Sequence, residues 1–389
     1  MNKITVKKQS AQKMKKNYPL IVAEDLKNQP AEDGFVQFLD EKNNFLGIGY
    51  LSKQNKGAGW FLSQSDIAIN QSFYESLFEE AKSYRSQFFN DQFTTAFRLF
   101  NGEGDGLGGL IIDYYDGYVV FSWYNSFVYS QKDVLIRAFQ SIFPEIDGAY
   151  EKCRFDNASI ESQHLYGNQA PEPLLVLENG VTYATYLNEG LMTGIFLDQK
   201  NVRAQLVNGL SAGKTLLNMF SYTGAFSLAG AFGGASQTTS VDLAKRSLDK
   251  TKEQFIVNGI DPETQKIYVM DVFGYFNYAK KKELTYDVII LDPPSFARNK
   301  KKTFSVAKNY GELIEESIDI LEKEGMIIAS TNAANVSAQR FQQMIEEALQ
   351  DKRVSYEIFR RESLPKDFRV NKNFPEGNYL KVLFIQVHK

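Results

Sequence analysis

The spacing of hydrophobic and polar positions changes its period along the chain, and each change marks a segment. Between Ile21 and Asn70 the apolar residues come in short β-prone pieces broken by turns. Phe35-Val36-Gln37-Phe38-Leu39 and Phe45-Leu46-Gly47-Ile48-Gly49-Tyr50-Leu51 flank the polar Glu41-Lys42-Asn43-Asn44, the pattern of a hairpin, and Trp60-Phe61-Leu62 supplies a further strand. A small β-barrel or sandwich accounts for residues 1–72. Apolar residues then recur at helical spacing (Phe73, Leu77, Ala81, Tyr84, Phe88), predicting a helix over 73–89. Strands are predicted at Thr95–Phe100, Leu110–Asp113 and Tyr118–Trp123, and a helix at Asp133–Phe143. Leu174–Leu177 and Val181–Tyr183 are joined through Glu178-Asn179-Gly180, and Asn-Gly between apolar runs is the strongest short hairpin signal. These elements make a small α+β segment over 73–186.

From Leu187 onward strand and helix patterns alternate, which implies a parallel, doubly wound sheet. Strands are expected at Thr215–Phe220, Thr238–Val241, Lys266–Met270, Asp287–Leu291 and Met326–Ser330, with helices at Leu243–Val257 and Tyr310–Lys323. Tyr356–Arg361 and Tyr379–Val387, joined by the long loop Lys366–Gly377, read as an antiparallel pair at the edge. The expected fold class is α/β: a Rossmann-like seven-stranded domain over 187–389, preceded by a small β domain and a small α+β domain.

The strand ends carry the candidate chemistry. In Tyr286-Asp287-Val288-Ile289-Ile290-Leu291-Asp292-Pro293-Pro294-Ser295-Phe296 a strand apolar enough for burial on both faces ends in a carboxylate and two prolines. In open α/β sheets ligands bind at that edge, and the prolines stiffen the exit that presents Asp292 and Phe296. The first strand ends in Asn218-Met219-Phe220-Ser221-Tyr222-Thr223-Gly224. With one glycine where a dinucleotide turn needs three, pyrophosphate is disfavoured and an uncharged nucleoside is not. Asp242 ends the second strand, either to accept from ribose hydroxyls or to cap the following helix. Asp271 ends the third, where it could accept from an adenine amino group while Val272 lines the ring.

Composition narrows the classes. No run in the 389 residues approaches the ~20 apolar residues of a membrane span. One cysteine, Cys153, excludes disulfides within the chain and points to a reducing cytoplasm. His164 and His388 are the only histidines, too few for a zinc site built on three of them. Net charge is −3, yet six lysines precede Glu24, read either as a solvated, partly mobile terminus or as a phosphate-tracking arm. A second basic cluster, Arg298-Asn299-Lys300-Lys301-Lys302, follows the Pro-Pro loop. Asn101-Gly102-Glu103-Gly104-Asp105-Gly106 invites a calcium-loop reading, but position twelve is Ile112 in place of an acid. Ser211-Ala212-Gly213-Lys214-Thr215 imitates the end of a P-loop but precedes its strand and has Asn208 for the first glycine.

Taken together, these strand ends resemble the class I S-adenosylmethionine-dependent methyltransferases. Thr193-Gly194-Ile195-Phe196-Leu197-Asp198-Gln199-Lys200 resembles the Thr-Gly-x-Phe-x-Asp-Gln-Arg segment that opens the catalytic domain of the PUA-containing large-subunit ribosomal RNA methyltransferases, the 23S rRNA cytosine-5 type. The likeness extends to Asn101–Asp113, to Glu178-Asn179-Gly180 and to the N-terminal β domain. It implies a pocket for S-adenosylmethionine lined by Phe196, Asn218, Phe220, Thr223, Gly224, Asp242, Asp271, Val272 and Asp292. It also implies a ribosomal RNA partner, with a homodimer left open.

Methylating carbon 5 of a pyrimidine requires a nucleophile to add at carbon 6, and such enzymes use a cysteine thiolate. The family's cysteine follows the fifth strand, where this chain reads Ala329-Ser330-Thr331-Asn332-Ala333. A nitrogen acceptor needs no covalent adduct, so positioning can supply much of the rate. Asp367-Phe368-Arg369-Val370-Asn371 resembles the end of the related guanine-N7 enzymes. The expectation is methylation of a base of 23S ribosomal RNA, a guanine nitrogen before cytosine carbon 5, with Asp292, Pro293, Pro294, Phe296 and Asn332 at the acceptor. The alternatives are the cytosine-5 reaction and a non-catalytic, cofactor-binding assembly factor.

Overall fold

The computed structural model describes residues 1–28, 32–298 and 303–389, gathered into two compact units. One comprises Met1–Val176, Thr185–Thr193 and Lys366–Gly377, the other Leu177–Ala184, Gly194–Pro365 and Asn378–Lys389.

The first unit opens with β1 (Asn2–Thr5), α1 (Lys8–Lys15), β2 (Leu20–Ile21), β3 (Gly34–Leu39), β4 (Phe45–Leu51) and β5 (Gly59–Ser63). Their sheet has the order β1-β3-β4-β5-β2. The hairpin expected from the sequence is β3–β4, with Gly34 opposite Leu51 and Leu39 opposite Phe45. The lysine-rich terminus is folded. β1 pairs in parallel with β3, and Ser10, Ala11 and Met14 are buried on one side of α1 while Lys8, Lys13 and Lys15 stay exposed. Ala11 and Met14, three apart, form a narrow apolar face of the kind that docks a helix, and the run of lysines hides it in the sequence.

Next come α2 (Gln71–Tyr84), β6 (Ala96–Asn101), β7 (Leu110–Tyr115), β8 (Tyr118–Trp123), α3 (Ser126–Ser130), α4 (Lys132–Ile142), β9 (Gly148–Cys153) and β10 (Ser162–Gly167). This sheet runs β10-β9-β8-β7-β6. Helix α2 is capped by Asn70, which accepts from the Phe73 amide. Strand β9 is hidden in the sequence because Glu151-Lys152 looks like surface. Both residues are buried, and Glu151 is satisfied by Trp123 Nε1 at 2.9 Å and Lys132 Nζ at 3.2 Å.

The glycine-rich turn after β6 is an anchor. Arg85, wholly buried, reaches both Asp105 carboxylate oxygens at 2.8 and 2.7 Å and donates to the Asp367 carbonyl. A Cβ on Gly104 would lie 1.8 Å from the Arg369 carbonyl oxygen, so only glycine admits that backbone. Residues 366–377, which the linear reading keeps with the third segment, thereby belong to the first unit.

The ribbon β11 (Leu174–Glu178) and β12 (Val181–Thr185) turns at Asn179 and Gly180, with φ of 53° and 78°, the left-handed pair that a two-residue hairpin needs. The second unit continues with α5 (Lys200–Val207), β13 (Thr215–Met219), α6 (Ala225–Phe232), β14 (Gln237–Asp242), α7 (Ser247–Ile256), β15 (Lys266–Val269), α8 (Val272–Lys281) and β16 (Tyr286–Leu291). After these follow β17 (Phe296–Arg298), β18 (Thr303–Ser305), α9 (Val306–Asp319), β19 (Leu321–Thr331), α10 (Ala338–Asp351), β20 (Ser355–Glu362) and β21 (Lys381–His388). The seven-stranded sheet has the order β15-β14-β13-β16-β19-β21-β20. Its strands run in one direction except β21, which lies antiparallel between β19 and β20, the α/β arrangement that the alternating pattern predicts. Val288, Ile289, Ile290 and Leu291 have no exposed surface, as a central strand covered on both faces requires. Among the described residues no helix is long and apolar enough to cross a membrane.

Candidate active site

The strands β13, β14, β15, β16 and β19 are mutually parallel, so their carboxyl ends share one edge of the sheet. Strand order reverses between β13 and β16, the switch point where such sheets open a crevice. Phe220, Asp242, Asp271, Asp292 and Asn332 end these strands or follow them within two residues, and the fold brings all of them to that edge.

The turn after β13 is strained. Phe220 and Tyr222 have φ of 59° and 53°, and Gly224 has 77°, left-handed values that cost non-glycine residues about 1–3 kcal/mol each. Asp242 holds it: one carboxylate oxygen accepts from the Tyr222 amide at 2.9 Å, the other from the Ala244 amide at 2.8 Å. The alternative of a cap for α7 falls away, because α7 begins only at Ser247. Thr223 Oγ1 donates to the Gly194 carbonyl at 2.7 Å, tying the turn to the segment that carries Phe196. The Phe196 ring is 44% exposed and 5.3 Å from that of Tyr222. At Gly224 a Cβ would fall 2.5 Å from Thr251 Cγ2, so the glycine makes room for α7 as well as adopting its φ. Asn218 is buried, its Nδ2 bonded to Ser227 Oγ at 3.1 Å and its Oδ1 without a hydrogen-bond partner. Asp271 caps α8 through the Gly274 amide at 3.1 Å, and the Val272 side chain is packed into the core.

The second half of the edge is built on β16 and β19. Gln199, in the short turn Leu197–Gln199 before α5, places Nε2 3.0 Å from Asp292 Oδ1 and 2.7 Å from Ser330 Oγ. Tyr310 of α9 sets its hydroxyl 3.2 Å from the Leu291 carbonyl and 2.9 Å from that of Ser330. It braces the ends of both strands from below. Ser295 Oγ donates to Asn332 Oδ1 at 2.7 Å, linking the Pro-Pro loop to the exit of β19, and Lys381 Nζ holds the Ala333 carbonyl at 2.7 Å. Pro293 is buried, Pro294 exposed, and Phe296 is 62% exposed. Phe296 is therefore an open aromatic face, and the reading in which it closes the core under the loop is set aside. The basic cluster Arg298 to Lys302 lies outside the residues whose side chains are described.

Burial pushes the Asp292 carboxyl up to about 6, with the nearby Asp198 carboxylate acting in the same sense. Ser330, Arg203 and Gln199 pull it the other way. Arg203 forms a buried two-pronged pair with Glu178 at 2.6 and 2.8 Å and donates to the Phe196 carbonyl at 2.7 Å, which fixes the 196–199 segment. Gln199, Glu178, Arg203, Ser330 and Tyr310 were missed as site residues. Gln199 and Glu178 stand in segments named for their family likeness, and nothing local shows what any of the five touches. Cys153 is buried in β9, in the first unit, with its thiol pushed up to about 11 by burial and by Glu151.

These features fit S-adenosylmethionine: carboxylates at successive strand ends, an exposed aromatic ring, an unpartnered buried amide oxygen, and no multi-glycine pyrophosphate turn. Residues 152–377 match the S-adenosylmethionine-dependent methyltransferase family, and residues 4–64 match a PUA-like domain. The chain is 48% identical over 394 residues to YwbD of Bacillus subtilis (strain 168), which bears a provisional ribosomal RNA large subunit methyltransferase name, covering 99% of this chain and 100% of that one. It is 29% identical to ribosomal RNA large subunit methyltransferase I of Pseudoalteromonas translucida, covering 96% of each. A crystal structure of a provisionally assigned methyltransferase complexed with SAH superposes with a TM-score of 0.95 at 48% identity, covering 99% of this chain and all of that one. One from Streptococcus mutans gives 0.93 at 47%, with the same coverage. The chain belongs to the S-adenosylmethionine-dependent methyltransferases, in the family that joins a PUA-like domain to the catalytic domain and whose relatives are named ribosomal RNA large subunit methyltransferases.

Proposed function

We propose that this protein transfers a methyl group to a base nitrogen, a guanine before any other, of 23S ribosomal RNA in the cytoplasm. The observation that carries the nitrogen assignment is at the exit of β19. Asn332 bonded to Ser295 occupies the position where cytosine-5 chemistry wants a thiolate, and the lone thiol is a buried, protonated group in the other unit.

S-adenosylmethionine supplies an electrophilic methyl group on its sulfonium. The residues assigned to hold it are Phe196, Asn218, Phe220, Thr223, Gly224, Asp242, Asp271 and Val272, with Asp292 at the border with the base. Asp242 is suited to ribose hydroxyls, although both its oxygens already take backbone amides, because a carboxylate offers about four lone-pair positions. Asp271 would accept from the adenine amino group. Val272 contributes by backbone, since its side chain is in the core. On the acceptor side Phe296 offers its open face to a base drawn out of its stack. Asp292 accepts from a base N–H, Asn332 reads a base edge, and Pro293 and Pro294 keep the loop from yielding. A nitrogen lone pair attacks directly, so these groups orient and hold a proton without forming a covalent adduct. The exposed lysines of α1 suit phosphate contacts. Sedimentation of the purified protein distinguishes a single chain from a homodimer.

The test is mass spectrometry of ribosomal RNA nucleosides from cells with and without the gene. Loss of a methylguanosine supports the proposal. Loss of 5-methylcytidine overturns the nitrogen assignment, and an unchanged nucleoside profile leaves the assembly-factor alternative.

A further inference from the structure

We infer that Gln199 is a positioning residue for methyl transfer, holding the Asp292 carboxylate in the rotation and charge state that the acceptor base requires. This rests on the reading above, in which Asp292 accepts from the target base.

Gln199 is 3% exposed and its Nε2 meets Asp292 Oδ1 and Ser330 Oγ, one from the exit of β16 and one from the end of β19. Engaging Oδ1 fixes the carboxylate plane and hence the direction of Oδ2. The amide is itself well held. Arg203 fixes the segment through the Phe196 carbonyl and its pair with Glu178, and Tyr379 Oη donates to Asp198 at 3.0 Å. Yet Gln199 Oε1 is buried with no hydrogen-bond partner. The amide makes its bonds through Nε2 alone and leaves Oε1 buried and unmatched, a cost that a side chain kept only to fill space would not carry. A purely architectural side chain has no reason to keep such an atom. An amide that must donate to a carboxylate does.

The charged and titratable groups facing Asp292 are Asp198 beside Gln199, Arg203 of α5 and Tyr310 of α9, with Ser330 as the neighbouring hydroxyl. Asp198 and burial oppose the carboxylate, while Arg203, Ser330 and Gln199 favour it. Removing the Gln199 donor therefore moves the balance in one direction. The lost bond is the smallest of these influences, equivalent to at most about one pH unit.

The experiment compares wild type, Gln199→Leu, Gln199→Glu and Asp292→Asn, each as the full chain. Three measurements are made: carboxyl carbon NMR titration, with the Asp292 signal identified by its loss in Asp292→Asn; calorimetric binding of S-adenosylmethionine; and pH profiles of tritiated methyl transfer to ribosomal RNA from a deletion strain. In Gln199→Leu the Asp292 titration and the acidic limb of kcat should move up together by up to about one pH unit. In addition kcat should fall about 10- to 100-fold, with cofactor Kd within about threefold. Gln199→Glu, of the same size, sets a second carboxyl against Asp292 and should shift it at least as far; it carries the test if the leucine variant does not fold. An unmoved Asp292 titration in the folded variants overturns the inference, whatever happens to stability. Full activity in Asp292→Asn instead overturns the underlying reading of Asp292.

Discussion

Replacing Asp292 by asparagine removes a charge from a site that resists it, which makes activity and stability move in opposite directions. The carboxyl is shifted from an ordinary 3.8 to about 6, chiefly by burial, so keeping it ionised at neutral pH costs the folded protein about 3 kcal/mol as an upper figure. Water reaching this partly buried group reduces that figure. The sign follows from linkage. A carboxyl whose folded pKa is raised favours the fold below its unfolded value, and that advantage is lost as pH rises through the folded one. Asp292→Asn should therefore match wild type near pH 4, gain between pH 4 and 6, and level off above. For a unit of this size the plateau corresponds to at most about 6–12 °C in Tm, and half of that is a realistic outcome after screening. Asparagine keeps the shape and still accepts from Gln199 through its oxygen, but presents no charge to a base N–H, so kcat should fall by about 100-fold. Scanning calorimetry of both proteins from pH 4 to 8, paired with methyl-transfer assays, measures the two quantities. A Tm difference that does not depend on pH would refute the burial argument, and one of opposite sign would refute it more strongly.

Asp242→Ala frees the Tyr222 and Ala244 amides that hold a strained turn, and calorimetry should show S-adenosylmethionine binding weakened by about 10- to 100-fold. Arg203→Leu leaves Glu178 buried without its partner and should cost about 3–5 kcal/mol in urea unfolding of the second unit, whereas the double replacement with Glu178→Leu should recover most of it. Cys153→Ala should leave methyl transfer unchanged while lowering stability by about 1 kcal/mol, since the thiol is a packed, protonated side chain. A loss of turnover in that variant would return the cytosine-5 mechanism to consideration. Gly224→Ala should be destabilising by more than about 1 kcal/mol, because the left-handed φ and Thr251 both oppose a methyl group there, and circular dichroism melts would register it.

Sequence alone determined those features whose causes are local. Period-two and period-3.6 patterns, an Asn-Gly turn and an apolar run ending in Asp-Pro-Pro depend on neighbours a few residues away, so the seven-stranded sheet, its order of alternation and the edge bearing Asp242, Asp271, Asp292 and Asn332 were legible. Element boundaries were less so. Helix α7 starts only at Ser247, and Asp242 spends its carboxylate on the Tyr222 and Ala244 amides, contacts that no helix signal records. Strand β9 was hidden because Glu151 and Lys152 look exposed until Trp123, Lys132 and the Gly190 carbonyl are brought to them. The glycine-rich turn imitating a calcium loop proved to be the seat of residues 366–377, more than 250 positions away in the chain. The same holds for the site. Its carboxylate was evident from one stretch, but what sets that carboxylate's charge and direction comes from Gln199, Arg203 and Ser330, on three other elements. Long-range hydrogen bonds and desolvation are properties of three-dimensional neighbourhoods, and only the folded chain decides them.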